Sequence, residues 1–219
     1  VLMGGIDYQI DFNENSLILY LAGQNTDRDH YTGLKPNIMN GDSAELYNHT
    51  LNAPYGNSLN NTIQAGAQFN YLFENFMIGK NMISIGTEYV LDDIYDEIPA
   101  YSYLLDQKSE NIGAFIQSDW QIRKNVNLLA GIRSDFHNFV DHPVFNPRIS
   151  FLYKYNKYTQ FRIGWATGFR APQAFDADMH MAFAGGGIQQ IVLAENLIEE
   201  KSNSFNASIN YDKATLKYI

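Results

Sequence analysis

The chain contains no cysteine, which excludes a disulfide framework and a thiolate metal site. It also lacks any run near the roughly 18 consecutive apolar residues of a membrane helix, so only strands closed into a barrel would carry it across a bilayer. Basic residues are few. Lys and Arg number 15 against 24 Asp and Glu, for a formal net charge of -9, the wrong sign for a nucleic-acid partner, because phosphate binding needs a basic surface. Catalytic signatures are missing too: there is no glycine-rich phosphate loop, no Gly-x-Ser-x-Gly elbow and no His-Glu-x-x-His. Scattered carboxylates do not specify an acid/base pair, and neither an enzyme nor a resident cofactor is expected. The chain starts at Val1 without a basic-then-apolar leader, and Lys217-Tyr218-Ile219 stops within an alternating pattern. It reads as a piece of a longer protein.

What the sequence does have is strict alternation. From residue 110 onward, Ile112, Ala114, Ile116, Trp120 and Ile122 share one strand face, while Gly113, Gln117, Asp119 and Gln121 share the other. After Arg123-Lys124-Asn125, Val126, Leu128, Ala130, Ile132 and Phe136 alternate with Asn127, Arg133 and Asp135. One face suits lipid and the other water. Runs of about 9–13 residues match a tilted membrane strand and exceed the usual ~5–6 of a globular one. Tyr 15, Phe 14 and a mean hydropathy of -0.29 agree, since only alternate side chains meet lipid.

The same reading gives about ten strands: 3–12, 16–28, 61–73, 82–94, 110–122, 126–138, 146–155, 159–167, 202–211 and a final partial one. Tight turns alternate with longer connections at 29–60, 95–108, around His142-Pro143, and 168–201. This is the pattern of an antiparallel up-and-down transmembrane barrel, with short periplasmic turns and long outer loops. Aromatics near strand ends, among them Tyr71, Phe73, Trp120, Phe136 and Tyr153, would form interfacial girdles.

Three short motifs sharpen the reading: Asn146-Pro147-Arg148, then Gly168-Phe169-Arg170-Ala171-Pro172, then Asn196-Leu197-Ile198-Glu199-Glu200-Lys201-Ser202. In order and spacing they resemble the TonB-dependent outer-membrane receptors, and the extension from Ala171 to His180 is similar to the Bacteroidetes-type cobalamin and siderophore receptors. The resemblance implies that residues 1–219 are part of one barrel domain of about 22 strands, partial here, with a plug domain and the remaining strands absent. It also implies import of an iron chelate, haem or cobalamin across the bacterial outer membrane. Partners would be outer-membrane lipid and the TonB-ExbB-ExbD complex, reached through the plug.

Physical roles for the motif residues are structural. Gly168 would let the chain leave its strand, Pro172 holds Ala171 extended, and Arg170 would pair with Glu199 or Glu200. Glu200 and Ser202 would fix the start of the returning strand. Ligand candidates lie in the long loop: Asp176, Asp178, Met179, His180 and Met181 combine carboxylate, imidazole and thioether within six positions, a mixture suited to a transition metal or to a chelate. In an extended segment Asp176, Asp178 and His180 would point one way and the two methionines the other. The acidic run Asp92 to Glu97 clusters hard oxygens but has no calcium-loop spacing and reads as a solvated rim. The competing functional class is a passive porin or adhesin-type barrel without energy coupling. A soluble β-rich carbohydrate-binding domain would require the apolar faces to pack on each other.

Overall fold

The computed structural model describes residues 1–31, 53, 55–173 and 197–213. Period-two alternation becomes nine strands: β1 (Leu2–Phe12), β2 (Asn15–Tyr31), β3 (Tyr55–Phe73), β4 (Lys80–Ile98), β5 (Tyr103–Arg123), β6 (Val126–His137), β7 (Val144–Lys154), β8 (Thr159–Arg170) and β9 (Glu200–Tyr211). They form one antiparallel sheet in strict sequence order. Each strand pairs with the next through a near-unbroken register, from Phe12 opposite Asn15 to Arg170 opposite Glu200. The tenth, partial strand expected from the sequence falls outside the described residues.

Register sorts the side chains into two faces, because each cross-strand pair shares a side. One face carries Ile6, Leu19, Phe69, Ile85, Ile116, Ile132, Ile149, Ile163 and Phe205, all exposed large apolar groups. The other carries Gln68, Glu88, Gln117, Arg133, Arg148, Arg162 and Asn206, tied together by cross-strand pairing. A soluble domain would bury the apolar face, yet among the described residues the buried apolar side chains are only Ile94, Ile98, Val144 and Ala171. The sheet therefore has no core of its own, as expected when lipid covers one side.

Turn chemistry explains the tight end. Phe12 pairs with Asn15 across a two-residue turn, where Asn13 takes φ 57, a left-handed conformation that asparagine tolerates and the twist of the hairpin favours. Gly79 takes φ 85 and sits against the Gln121 carbonyl, so that no side chain fits there. In the β7–β8 turn the Asn156 side-chain oxygen accepts from the N–H groups of Tyr158 and Thr159, at 2.8 and 2.9 Å.

At this same end an aromatic chain runs along the apolar face. Phe12, Phe69, Tyr71, Phe73, Phe76 and Trp120 follow one another at centroid spacings of 4.7–6.3 Å. The Trp120 indole N–H donates to the Ile78 carbonyl at 2.7 Å. Amphipathic rings with one polar tip suit the membrane–water boundary.

Loop boundaries differ from expectation in several places: residues 29–31 and 55–60 pair as the outer ends of β2 and β3, up to Tyr31 opposite Tyr55. Residues 95–108, read as a loop from their polarity, continue the β4–β5 ladder up to Ile98 opposite Tyr103, closed by a 3-10 turn at Pro99–Tyr101. Polar residues here lie on both faces of a strand pair outside the apolar band, so composition resembled a loop. The result is unequal strand length: β2 to β5 have 17, 19, 19 and 21 residues, whereas β6 to β9 have 11 or 12.

Candidate functional site on the polar face

A connected set of polar side chains spans six strands. Glu88 of β4 accepts from Tyr20 Oη at 2.8 Å and Gln64 Nε2 at 2.6 Å on one oxygen, and from Arg133 Nη2 at 3.0 Å on the other. Arg133 of β6 also donates through Nε to Asp135 Oδ1 at 2.8 Å. Asp135, only 2% exposed, accepts further from Asn111 of β5 at 3.0 Å and Asn146 of β7 at 3.3 Å. Every oxygen of both carboxylates thus accepts at least one hydrogen bond, an arrangement that holds charge in place.

Glycines make this network possible. A Cβ at Gly66 would overlap the Tyr20 ring, one at Gly113 would overlap the Arg133 guanidinium, and one at Gly86 would lie 2.5 Å from the Phe115 ring. Three large side chains therefore lie flat across glycines of adjacent strands. Sequence reasoning missed the network because its partners are separated by 24, 45 and 68 residues and meet only once register is known. Glycine at polar-face positions was the available signal.

The motif residues fall at the loop end of the same wall. Asn146 sits inside β7 and reaches back to Asp135. Pro147 lies opposite Ile132 on one side, and the β7–β8 ladder begins only at Arg148, beyond it, as suits a residue without an N–H. Gly168 does not end its strand: it stays paired with Ser202, followed by Phe169 with Lys201 and Arg170 with Glu200. The chain leaves the sheet after Arg170. Arg170 faces Glu200 across the ladder, whereas the Glu199 carboxylate is engaged by Lys201 Nζ at 2.9 Å and His142 Nε2 at 3.1 Å.

Beyond the ladder, Ala171 is buried and Gln173 donates to Ser109 of β5 at 3.0 Å. The strand order places β5 three positions from β8, so Gln173 reaches back across the wall. Ser109 in turn contacts His137 Nε2 at 3.2 Å, and His137 Nδ1 accepts the Phe139 N–H at 3.1 Å. With Nδ1 accepting, the neutral ring carries its proton on Nε2 and donates to Ser109.

The acidic run Asp92 to Glu97 divides between the two faces. Asp92 accepts from Thr62 at 2.7 Å and buried Asp96 accepts from Ser58 at 2.5 Å, while Glu97 takes the Tyr95 hydroxyl on the opposite face at 2.7 Å. Among the described residues no group of three or more His, Asp or Glu side chains is placed to hold a metal ion. Asp176, Asp178, Met179, His180 and Met181 lie outside the described residues.

Comparison with known proteins places this geometry. No curated protein matches the sequence. The ferric enterobactin receptor PfeA of Pseudomonas aeruginosa, in complex with enterobactin, is similar with a TM-score of 0.72 at 14% identity, over 97% of this chain and 32% of that one. The siderophore receptor PirA of Acinetobacter baumannii gives 0.69 at 15%, over 97% and 32%. FpvA of P. aeruginosa bound to heterologous pyoverdines gives 0.59 at 10%, over 94% and 30%. The chain spans about a third of the length of these receptors, and at such identities the likeness shows the fold. Residues 2–218 match the family model for the TonB-dependent receptor-like β-barrel, and the chain belongs to that family.

Proposed function

We propose that this chain is a section of the wall of a TonB-dependent importer in the bacterial outer membrane, and that the complete protein takes up a scarce iron chelate. The observation that carries this reading is the two-faced sheet. One side presents aliphatic and aromatic groups to lipid, while the other presents Glu88, Arg133, Asp135 and their amide partners, as the interior of a wide, water-filled or plugged barrel requires. The described sheet has two edges, β1 and β9, and a membrane barrel abolishes edges by closure. Further strands complete it. A plug domain inside the closed barrel would receive energy from TonB, ExbB and ExbD. Iron chelates are the favoured substrate class because the structurally similar receptors are those for ferric enterobactin and pyoverdine–iron.

The test is uptake by the full-length protein, expressed in an outer membrane with and without TonB, for ferric chelates, haem and cobalamin. TonB-dependent uptake of a ferric chelate is expected. Uptake of haem or cobalamin alone would move the substrate class, and uptake indifferent to TonB would replace the importer by a passive porin.

A further inference from the structure

The tight turn between β3 and β4 is apolar where the others are polar. Residues 76–78 read Phe-Met-Ile, whereas the other tight turns carry Asn13-Glu14, Lys124-Asn125 and Asn156-Lys157. Met77 is 85% exposed and Ile78 64%, although nothing in turn chemistry asks for apolar side chains there. The two charged residues that flank them, Glu74 and Lys80, pair with each other at 2.5 Å.

This turn folds back onto the apolar face. Register sets Phe73, Asn81 and Trp120 in one row across β3, β4 and β5, on the face that carries Ile85 and Ile116. Phe76 bridges the row, its ring 6.0 Å from that of Phe73 and 5.7 Å from that of Trp120, and the Ile78 carbonyl accepts the Trp120 N–H at 2.7 Å. Asn81 lies beneath, 1% exposed, its Oδ1 accepting from Ser118 at 2.8 Å and its Nδ2 without a partner among the described residues. An amide on a lipid-facing row is unfavourable unless it is covered, and the turn supplies the cover. The fold-back sets Met77 at φ 50 and Gly79 at φ 85, the first a left-handed conformation that a side chain disfavours. Such strain persists only where the surroundings impose it.

Resting on the outer-membrane barrel proposed above, we infer that residues 76–78 form a membrane hook: Met77 and Ile78 insert among the lipids of the periplasmic leaflet while Phe76 closes over Asn81. Continuity with the lipid-facing row fixes the occupant. The turn is fastened to Phe73 and Trp120 of the apolar face, so the exposed side chains extend the surface that lipid already covers. A turn hanging in water would leave two large apolar groups hydrated and the left-handed Met77 backbone without compensation. The hook lies beneath β3, β4 and β5, which at 19, 19 and 21 residues are the longest of the described strands. It therefore sets the depth of the part of the wall that rises furthest from the bilayer.

The test uses the full-length protein, in a background otherwise free of cysteine, in vesicles of phosphatidylethanolamine and phosphatidylglycerol. Met77→Cys carries a nitroxide, with Ile116→Cys as the lipid-facing reference and Lys124→Cys as the aqueous one, and heat-modifiable gel migration identifies folded barrel. Collisions of the label with oxygen, which concentrates in lipid, are compared with collisions with a water-soluble nickel chelate. The oxygen-to-nickel ratio at position 77 is expected to shift away from that at 124 and to approach that at 116. If Met77→Cys does not fold, Ile78→Cys carries the comparison, and Ile132→Cys replaces Ile116→Cys in the same way. A ratio at 77 equal to that at 124 would overturn the hook and leave the turn in water. Protection of 77 from both reagents would also overturn it, by assigning the turn to a contact with protein. A water-like ratio at 116 would remove the membrane-barrel reading itself.

Discussion

The Arg133 guanidinium occupies the space that a side chain at Gly113 would fill, and from there it reaches Glu88 at 3.0 Å and Asp135 at 2.8 Å. A methyl at position 113 would displace a flexible arm, so steric overlap itself is cheaply relieved. What is lost is the pair of charge-assisted contacts. Gly113→Ala is expected to destabilise the full-length barrel by about 1–3 kcal/mol in urea unfolding from lipid vesicles. Gly4→Ala, where a Cβ meets nothing within 4 Å, should stay within about 0.5 kcal/mol.

The two ends of the same contact are not equivalent. Arg133 serves two carboxylates, one of them nearly inaccessible, whereas Glu88 keeps Tyr20 and Gln64 as further donors. Arg133→Gln should therefore cost more than Glu88→Gln, because it leaves Asp135 with amide donors only. The double variant should be less damaged than the sum of the single ones, with a coupling of about 0.5–3 kcal/mol. Additive effects in that cycle would mean that the contact carries no energy.

The 3-10 turn closing β4 and β5 is held by the Ser102 N–H to Pro99 carbonyl contact at 3.1 Å, with Ser102 at φ 51 and ψ 32. A left-handed residue other than glycine costs about 1–2 kcal/mol. Ser102→Gly is expected to slow amide exchange at residues 95–98 and 103–108 by about tenfold, as about 1 kcal/mol of local stability is gained. Unchanged exchange would mean that this segment is the loop its composition suggests.

How far the sequence speaks depends on the range of the interaction. Alternation over Ile112 to Phe136 gives strand identity, facing and the tight turn, because these follow from period two within one strand. Boundaries are poorer where lipid is absent: above the apolar band Asp92, Asp93, Asp96 and Glu97 continue a paired strand without any hydrophobic signal. The polar network is illegible, since Glu88 and Arg133 meet only through three strands in register. Motif spacing gives the loop root at Arg170 to Ser202 and offers Arg170 either Glu199 or Glu200; the ladder sets Glu200 opposite it, while the partners of Glu199, His142 and Lys201, depend on where β6 turns into β7.

Trp120 tests the placement of the membrane. Its ring meets Phe76 at 5.7 Å, edge to face, and its N–H is taken by Ile78 in the tight turn. In the full-length protein with Trp120 as the sole tryptophan, headgroup-level spin labels should quench its fluorescence more strongly than labels deep in the acyl chains. Stronger quenching by the deep label would shift the bilayer away from this girdle. Trp120→Phe should keep the ring contact and lose about 1 kcal/mol through the vacated carbonyl.

Glu199 sits outside the strands at the root of the long loop, 7% exposed, between Lys201 and His142. The Lys201 ammonium, then a backbone hydrogen bond, hold its carboxyl below the ordinary value of 4.5. A carboxylate depressed on folding binds its proton more weakly in the folded chain, so its contribution is fully present above about 4.5 and is lost as pH falls through the lower, folded value. The anchor should therefore persist at neutral pH and release in acid below the usual carboxylate range. Hydrogen exchange of the amides at residues 197–200, followed from pH 6 to pH 3 after correction for intrinsic rates, should show protection declining at the acid end. In Glu199→Gln that step should vanish, with protection already reduced at pH 6. Lys201→Gln should retain the step but move it to higher pH, since the largest cause of the depression has gone. A step that keeps its position in Lys201→Gln would assign the acid release to another carboxylate.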